Sequence, residues 1–381
     1  MSTPIRVRTI SAAEHLAWVQ AQPAVSFLQT PAWGRVKADW RSESVGWFEG
    51  ETLRAAALVL YRKVPKVAKF LAYLPEGPAL DWGDARIVEY LAALRAHLSA
   101  QGAFAIRLGP TVVVNRWGAE TIKAAVTDPA VTRLAEVTPD VSEPLGPQVV
   151  GTLERLGFRS QAATDGGFAT GQPQFVFQVP LAGRTEADLL AAMNQLWRRN
   201  IKKAAKLGVV VERGTIEDLP AFHTTYLETA TRDHFTPRPL SYFQLMMREL
   251  TTEDPDRMRL YLARHEGDLV AATLWIRVGT HAWYSYGAST SAKREVQGST
   301  AIQWQMMRDA LEAGARVYDL RGITETVSED DPHLGLIRFK VGTGGEAVEY
   351  VGEWDYPMPG PDRLLYLAFD RYMRRRARGT E

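Results

Sequence analysis

Hydrophobic residues follow the same order of patterns in both halves of the chain. Helical segments lead to three short apolar segments, which are followed by one long amphipathic segment and one more apolar segment. In the first half the last five segments are 44–50, 55–64, 69–77, 85–102 and 103–110. In the second half they are 259–267, 269–279, 281–289, 300–317 and 318–323. The pattern predicts a three-strand meander, a long helix and a final strand, duplicated into two α/β units with mixed sheets.

This order resembles the GNAT fold of acyl-CoA N-acyltransferases, in which splayed central strands open a groove for an acyl donor and an amine. In the second half, Thr300 and Gln303 form a predicted capping box at the start of the long helix. Members that use CoA hold its pyrophosphate in a glycine-rich turn just before this helix. Here that turn contains Gln297 and Gly298 at a different spacing. The sequence therefore predicts this fold with a different acyl donor.

Composition sets limits on the class of protein. The chain has 381 residues, 46% hydrophobic and 23% charged, as is typical of a globular protein with two domains. It has no cysteine and only 7 widely spaced histidines, so we predict no metal ion and no cofactor. A net charge of +1 means that any RNA contact must come from a local patch. No apolar run is long enough for a membrane span or a signal segment, which predicts a cytoplasmic protein.

The strongest local charge lies in residues 196–206, where the spacing predicts a helix with cations on one face. Five cations in so short a helix suit RNA or pyrophosphate oxygens. A solvated helix face is the equal alternative. The cations are Arg198, Arg199, Lys202, Lys203 and Lys206.

Two further segments carry candidate chemistry. Tyr284 and Tyr286 lie on one predicted strand and share a face by the period of two. Their hydroxyl groups would either orient a phosphate or a peptide in a groove, or pack in the core. Lys340 precedes a glycine-rich turn, from which an ammonium group could reach an oxyanion or a carboxylate. No Ser-His-Asp arrangement is present in the pattern.

Several strings, in order along nearly the whole chain, resemble the FemABX family of tRNA-dependent transferases that build peptidoglycan cross-bridges. They are SFLQTPAWGRVKADW, KFLAYLPEGPALD, TPRPLSYFQ, WYSYGAS, YDLRGI, RFKVGTGGE and VEYVGEWD. The resemblance implies two tandem GNAT-like domains with mixed sheets and without a long coiled-coil arm. Residues 1–174, completed by 352–381, would form the first, acceptor-binding domain, and 175–351 the second. A segment rich in glycine and proline, residues 144–174, contains the predicted boundary between the two domains.

The resemblance also implies where the chemistry lies. Lys340 would act as the catalytic residue, with its ammonium stabilising charge at the reacting ester or fixing an acceptor carboxylate, and Phe339 would pack beside it. The attacking amine must first lose a proton. Candidate acceptors for this proton are the substrate's own carboxylate or phosphate, which we favour, and the side chains of Glu325, Asp330 and Asp331.

The remaining matched residues would bind the acceptor. Lys37 and Trp40 would hold its nucleotide-sugar or pyrophosphate end. Arg238 would pair with the same phosphates, since a guanidinium forms a fixed cationic fork. Tyr242 and Tyr286 would add hydroxyl hydrogen bonds.

The reaction implied is transfer of an amino acid from aminoacyl-tRNA to the stem-peptide amine of lipid II or UDP-MurNAc-pentapeptide, with glycine favoured over alanine or serine. The basic helix within 196–206 is then the candidate tRNA contact. The last helix ends in several arginines after an apolar stripe, which suits a peripheral contact with the inner face of the membrane. Packing of this helix on the first domain is the alternative. These arginines are Arg374, Arg375, Arg376 and Arg378.

Two departures from the family pattern affect acceptor binding. Some relatives carry a tyrosine and an aspartate where this chain has Phe104 and Gly109, so those hydroxyl and carboxylate contacts are missing here. We expect a monomer, by the family default. The alternative function is that of a CoA-dependent N-acyltransferase, which would need the missing pyrophosphate turn.

Overall fold

The structure is a computed structural model that describes residues 3–65, 67–161, 171–331 and 333–378, with 374–378 described by their backbone. The chain divides into two compact units. Unit 1 comprises Met1–Arg116, Val141–Phe175 and Val348–Glu381, and unit 2 comprises Trp117–Asp140 and Val176–Ala347. Among the described residues, no helix is both long enough and apolar enough to cross a membrane.

Unit 1 is built on a mixed, seven-stranded sheet. Its strands are β1 (Ile5–Thr9), β2 (Arg41–Glu49), β3 (Thr52–Lys63), β4 (Phe70–Leu74), β5 (Ala103–Leu108), β8 (Arg159–Ser160) and β16 (Trp354–Pro357). Their order is β1-β2-β3-β4-β5-β16-β8, and only β4 and β5 run parallel. The C-terminal strand β16 therefore pairs beside β5. Three further strands are β6 (Val113–Gly118), β7 (Val141–Ser142) and β15 (Glu346–Tyr350).

Helices cover this sheet because each has one apolar face. For example, one long helix buries Leu91, Leu94 and Leu98 in the core of the unit. The first helix starts at a capping box in which Ser11 and Glu14 satisfy each other's backbone N–H groups. The helices of unit 1 are α1 (Ala12–Ala21), α2 (Pro31–Val36), α3 (Ile87–Ala100), α5 (Leu145–Arg155) and α12 (Pro361–Arg378).

Unit 2 repeats the arrangement around a second mixed sheet. The strands of this sheet include β9 (Phe175–Pro180), β10 (Val210–Gly214), β11 (Met258–His265), β12 (Asp268–Val278), β13 (His281–Ser289) and β14 (Val317–Gly322). Their order is β10-β11-β12-β13-β14-β9, and only β13 and β14 run parallel. The apolar strand β9 was not predicted from the sequence, and it lies beside β14.

The helices of unit 2 are α4 (Ala119–Thr127), α6 (Glu186–Ala192), α7 (Gln195–Lys206), α8 (Leu219–Asp233), α9 (Leu240–Glu253), α10 (Gly298–Glu312) and α11 (Leu334–Val341). The predicted capping box of α10 is wrong. The helix begins at Gly298, after Gln297 in the left-handed conformation with φ 64°, and no side chain caps it. Thr300 already lies inside the first turn, where it is buried.

The predicted duplication is confirmed. In unit 1, the antiparallel meander β2–β4 leads through α3 to the parallel strand β5, and in unit 2, β11–β13 lead through α10 to β14. The longest helix in the described part of the chain is α12, with 18 residues, so no long helical arm occurs there.

The turn after α11 is fixed by close packing. Gly344 adopts φ 76°, and a Cβ atom there would lie 2.2 Å from the carbonyl oxygen of Ala192. Asn194 donates its backbone N–H to the carbonyl oxygen of Gly342 over 3.0 Å. These contacts hold the end of α11 against the connection between α6 and α7.

Candidate active site

Lys340 lies on α11 with its side chain buried, at 3% exposure. Its Nζ donates to the carbonyl oxygen of Gly322 over 2.7 Å and to that of Arg321 over 3.3 Å. Both acceptors belong to the end of β14. The lysine therefore links α11 to the last strand of the unit.

These carbonyl groups are available because β14 leaves its regular pairing with β9. The register between the two strands shifts between Asp319 and Gly322. Within this break Arg321 adopts φ 64°, a left-handed conformation that costs a non-glycine residue roughly 1–2 kcal/mol. The backbone N–H of Arg321 donates to Oδ1 of Asp319 over 2.6 Å, which helps to hold this conformation.

Asp319 is a buried carboxylate beside the lysine. Its Oδ2 accepts from Gln178 over 3.0 Å and lies 3.3 Å from Nε2 of His281. Burial acts to raise the pKa of Asp319, but His281, Arg321 and Gln178 outweigh it and lower the pKa, so the group stays ionised.

Burial lowers the pKa of Lys340 to about 7, against the negative charge of Asp319, which acts to raise it, while the cation of Arg321 lowers it further. The side chain is therefore poised between ammonium and amine near neutral pH. Such perturbed groups are frequent in active sites.

Phe339, next to Lys340, faces a different neighbour. Its ring packs on Trp197 of α7 with centroids 4.9 Å apart, and its carbonyl oxygen accepts from the indole N–H of Trp197 over 2.9 Å. The basic helix α7 is thus docked directly on the helix that carries the lysine.

The strands β13 and β14 open beside this site. They pair only over His281–Trp283 and Val317–Asp319, and then continue separately to Ser289 and Gly322. The carboxyl ends of parallel strands are where ligands bind in many α/β proteins. The two strands of unit 2 therefore stop pairing before their carboxyl ends.

A bulge in β13 changes the faces of the sheet to which Tyr284 and Tyr286 point. Trp275 pairs with Tyr284 and Leu274 with Tyr286, so Ser285 is an extra residue. Adjacent residues of β12 point to opposite faces, and their partners do the same. The prediction that Tyr284 and Tyr286 share a face is therefore wrong.

Tyr286 joins a cluster with two other predicted site residues. Its hydroxyl lies 3.5 Å from the hydroxyl of Tyr242, and the guanidinium of Arg238 lies over the Tyr242 ring, 5.3 Å from its centroid. Burial, with Tyr286 adding to it, raises the pKa of Tyr242, so this hydroxyl keeps its proton. Arg238 itself is exposed. An exposed cation beside tyrosine hydroxyls suits a phosphate oxygen.

The five predicted cations of α7 differ in their contacts. Arg198 donates to the carbonyl oxygens of Leu190 and Ala191, over 3.3 and 3.2 Å, and to that of Met193. This arginine therefore satisfies the end of α6. The other four cations are exposed, and no ion pair involves them in the described part of the chain: Arg199, Lys202, Lys203 and Lys206.

Lys37 and Trp40 lie in unit 1, just after α2. The ammonium of Lys37 lies 5.1 Å from the ring centroid of Trp33. The ring of Trp40 packs on Tyr73 at 6.3 Å, and the guanidinium of Arg62 lies 5.8 Å from its centroid. Both side chains are partly exposed.

Sequence reasoning missed the three side chains that build the site around Lys340. Gln178 comes from the unpredicted strand β9, His281 from β13 and Asp319 from β14. One signal was available for Asp319, since it is an acid between the hydrophobic residues Tyr318 and Leu320 of a strand segment. Gln178 and His281 cannot be recognised as site residues from the sequence unless the order of the strands is known.

The fold and this site define a protein with two GNAT-like units. The sequence model of the FemAB family matches residues 10–266 and 261–371. The chain therefore belongs to the FemAB family and is a transferase. Lipid II:glycine glycyltransferase of Staphylococcus haemolyticus is 24% identical over 423 residues, covering 92% of this chain and 93% of that protein. The enzyme of the same name from Staphylococcus aureus is 23% identical over 425 residues, covering 92% and 93%.

Solved structures agree on the fold. The crystal structure of FemX is similar with a TM-score of 0.79 and 22% identity, covering 95% of this chain and 99% of that chain. A tandem GNAT protein from the clavulanic acid biosynthesis pathway is similar with a TM-score of 0.51 and 12% identity, covering 93% and 99%. The predicted tandem GNAT-like fold is confirmed.

Burying Lys340 predicts a pH-dependent stability. Its pKa of about 7 in the folded chain lies below the usual lysine value of about 10.4. The cost of burying the charge is therefore fully present below pH 7 and is relieved as the pH rises from 7 towards 10. We expect Lys340→Met to gain stability relative to the wild type below pH 7, and to lose this gain by up to about 1.4 kcal/mol per pH unit above it.

Urea unfolding of both proteins between pH 6 and 9 measures this difference. Arg338→Met removes an exposed cation from the same helix and should show no such pH dependence. A constant difference between Lys340→Met and the wild type across the range would show that Lys340 titrates normally.

Proposed function

We propose that this protein transfers glycine from glycyl-tRNA to the stem-peptide amine of lipid II. Support comes from the relatives named lipid II:glycine glycyltransferase, which align with this chain along 93% of their length. Alanine or serine as the transferred amino acid, and UDP-MurNAc-pentapeptide as the acceptor, are alternatives that one assay separates.

Buried Lys340 is the observation that carries the proposal. Two of the three N–H groups of its ammonium are used by the carbonyl oxygens of Arg321 and Gly322. The third is left for the carbonyl oxygen of the aminoacyl ester. That oxygen becomes an oxyanion when the amine attacks, and the buried Lys340 in its ammonium form would stabilise it. The C–N bond forms, the ester C–O bond breaks, and the ribose oxygen leaves with a proton from the amine.

Two clusters, each within one unit, have side chains that suit an anionic group of the acceptor. In unit 2, exposed Arg238 stands beside the hydroxyl groups of Tyr242 and Tyr286, a set that would bind phosphate. In unit 1, Lys37 and Trp40 offer a cation and an indole ring to the sugar and phosphate.

The exposed cations of α7 suit the donor's RNA. Phosphate contacts from lysine and arginine supply most of the affinity for a nucleic acid backbone. Trp197 of α7 packs on Phe339 of α11, the helix that carries Lys340. RNA bound to the exposed face of α7 would therefore lie one helix away from Lys340.

One side of α12 packs on unit 1 through Leu365, Tyr366 and Phe369. Part of its other side suits a membrane surface, where a lipid-linked acceptor would lie. Leu364 is 72% exposed, and Leu367, Arg371 and Tyr372 are exposed on the same side of the helix. An apolar stripe with cations is typical of helices that lie on anionic bilayers. The side chains of Arg374, Arg375, Arg376 and Arg378 lie outside the described residues.

The transfer reaction can be tested with purified components. We expect label to move from tRNA charged with radioactive glycine into lipid II, and pretreatment of the tRNA with RNase to abolish this. Parallel reactions contain alanyl- or seryl-tRNA, and UDP-MurNAc-pentapeptide in place of lipid II. We expect lipid II in vesicles with anionic lipid to react faster than lipid II in zwitterionic vesicles, because α12 would bind the anionic surface.

Transfer of alanine or serine alone would replace glycine in the proposal, and transfer to the nucleotide precursor alone would replace lipid II. Acetylation from acetyl-CoA, with no transfer from any charged tRNA, would overturn the proposal in favour of a CoA-dependent N-acyltransferase.

Charge reversal on α7 tests the donor contact. We expect Arg199→Glu with Lys203→Glu to raise the Kd for tRNA at least tenfold, since two phosphate contacts are lost and like charges replace them. The slope of log Kd against log salt should become shallower by about 1 for each lost contact. Fluorescence anisotropy with labelled tRNA at several salt concentrations measures both.

Arg248→Glu with Arg264→Glu is the matched control, because it reverses the same number of charges on α9 and β11 of the same unit. Equal loss of affinity in both double variants would mean that α7 has no special role in binding RNA.

A further inference from the structure

Unit 1 holds a buried carboxylate that has no part in the transfer steps described above. Glu353 stands just before β16 and is 8% exposed. The hydroxyl group of Tyr73 donates to its Oε1 over 2.5 Å. Tyr73 lies on β4 opposite Arg107 of β5, and these two strands of unit 1 pair in parallel. The carboxylate therefore lies at the C-terminal end of that pair, which corresponds in unit 2 to the end near Lys340.

Two glycines from distant segments make room for this group. A Cβ atom on Gly109 would lie 2.9 Å from Cγ of Glu353. A Cβ atom on Gly171 would lie 1.8 Å from its Oε2, which is closer than any real contact. Any larger residue at Gly171 would displace the carboxylate, so the backbone is shaped around it.

The charged neighbours of Glu353 leave it free to take up a proton. Arg107 is bound to Asp355 through two hydrogen bonds of 2.7 and 2.8 Å. Glu353 has no ion-pair partner in the described part of the chain, and its other neighbouring group is the backbone of Gln172. Burial raises the pKa of Glu353, against Tyr73, Arg107 and Gln172, which lower it, and Asp355 adds to the rise.

A second glutamate–tyrosine pair in the same unit shows the contrast. Glu43 accepts hydrogen bonds from Tyr61 and Thr9, and it lies 2.9 Å from Nε2 of His97. Burial acts to raise its pKa, but these three partners lower it to about 2. Glu43 is therefore a fixed anion, whereas Glu353 is a carboxylate with a tyrosine and no cation of its own.

Tyr73 connects the carboxylate to the part of unit 1 where the proposed function puts the acceptor. Its ring packs on Trp40. Burial raises the pKa of Tyr73 well above its ordinary value, and Glu353 adds to the rise, so the hydroxyl keeps its proton at neutral pH.

We propose that Glu353 accepts the proton of the acceptor amine by way of the Tyr73 hydroxyl. One proton of the incoming ammonium passes to the tyrosine oxygen while the tyrosine's own proton passes to the carboxylate. The amine becomes neutral, Tyr73 is unchanged and Glu353 is protonated. The neutral amine then forms the C–N bond, its second proton leaves with the ribose oxygen, and Glu353 releases its proton to water. This role rests on the proposed transfer to an amine.

Glu353→Gln tests the role, because it keeps the shape and the hydrogen bond but cannot take up a proton. We expect the single-turnover transfer rate to fall about 100-fold or more with little change in the KM for lipid II. In the wild type the rate should fall as the pH drops through the pKa of Glu353. In the variant the rate should instead keep rising with pH up to about pH 7, as the fraction of free amine does, and in both proteins it should fall above pH 7 as Lys340 loses its ammonium proton. Tyr73→Phe should reproduce both effects.

Glu43→Gln and Tyr61→Phe are the matched controls, since they alter the same kind of pair in the same unit, and we expect them to retain the wild-type pH profile. Should Glu353→Gln fail to fold, Tyr73→Phe decides alone. A wild-type pH profile and rate in the folded variant would overturn the role of Glu353 while leaving the proposed function intact. An inactive wild type would instead reject the proposed function, and this role with it.

Discussion

Burial of the Lys340 ammonium is the constraint on which the rest of unit 2 depends. A cation taken out of water is costly unless hydrogen bonds and opposite charge replace its hydration. Here the carbonyl oxygens of Arg321 and Gly322 supply the bonds, and Asp319 supplies a nearby negative charge while its own oxygens accept from other groups. The compensation is partial, which is why the pKa of Lys340 falls to about 7.

Several irregular features of the unit follow from this requirement. The carbonyl groups can reach the lysine only because β14 breaks its register with β9 and Arg321 turns left-handed. The lysine can reach them only because α11 is fixed at its end, by the turn at Gly344 and by Trp197 of α7. The helix with the exposed cations is thus part of the support of the lysine. The proposed donor contact and the proposed chemistry would therefore lie on two helices that pack on each other.

Sequence patterns predicted the regular parts of this structure and missed the irregular ones. The meanders and long helices follow from periods of 2 and 3.6, which local residues determine. The bulge at Ser285 and the left-handed Gln297 change a face and a helix start, and no periodicity encodes them. Lys340 was singled out by the family resemblance, whereas Gln178, which donates to Asp319 beside it, can be recognised only once the strand order is known. Glu353 was missed because its burial depends on Gly109 and Gly171, which are distant from it in the sequence.

The most direct test of the central claim, that Lys340 performs the transfer chemistry, is a single-turnover transfer rate. Lys340→Met should lower the rate from charged tRNA to lipid II at least about 100-fold, as loss of an oxyanion donor does elsewhere. Arg338→Met, on the same helix with its side chain exposed, should keep the wild-type rate. Transfer by folded Lys340→Met at the wild-type rate would contradict the claim and leave the buried lysine a structural role only.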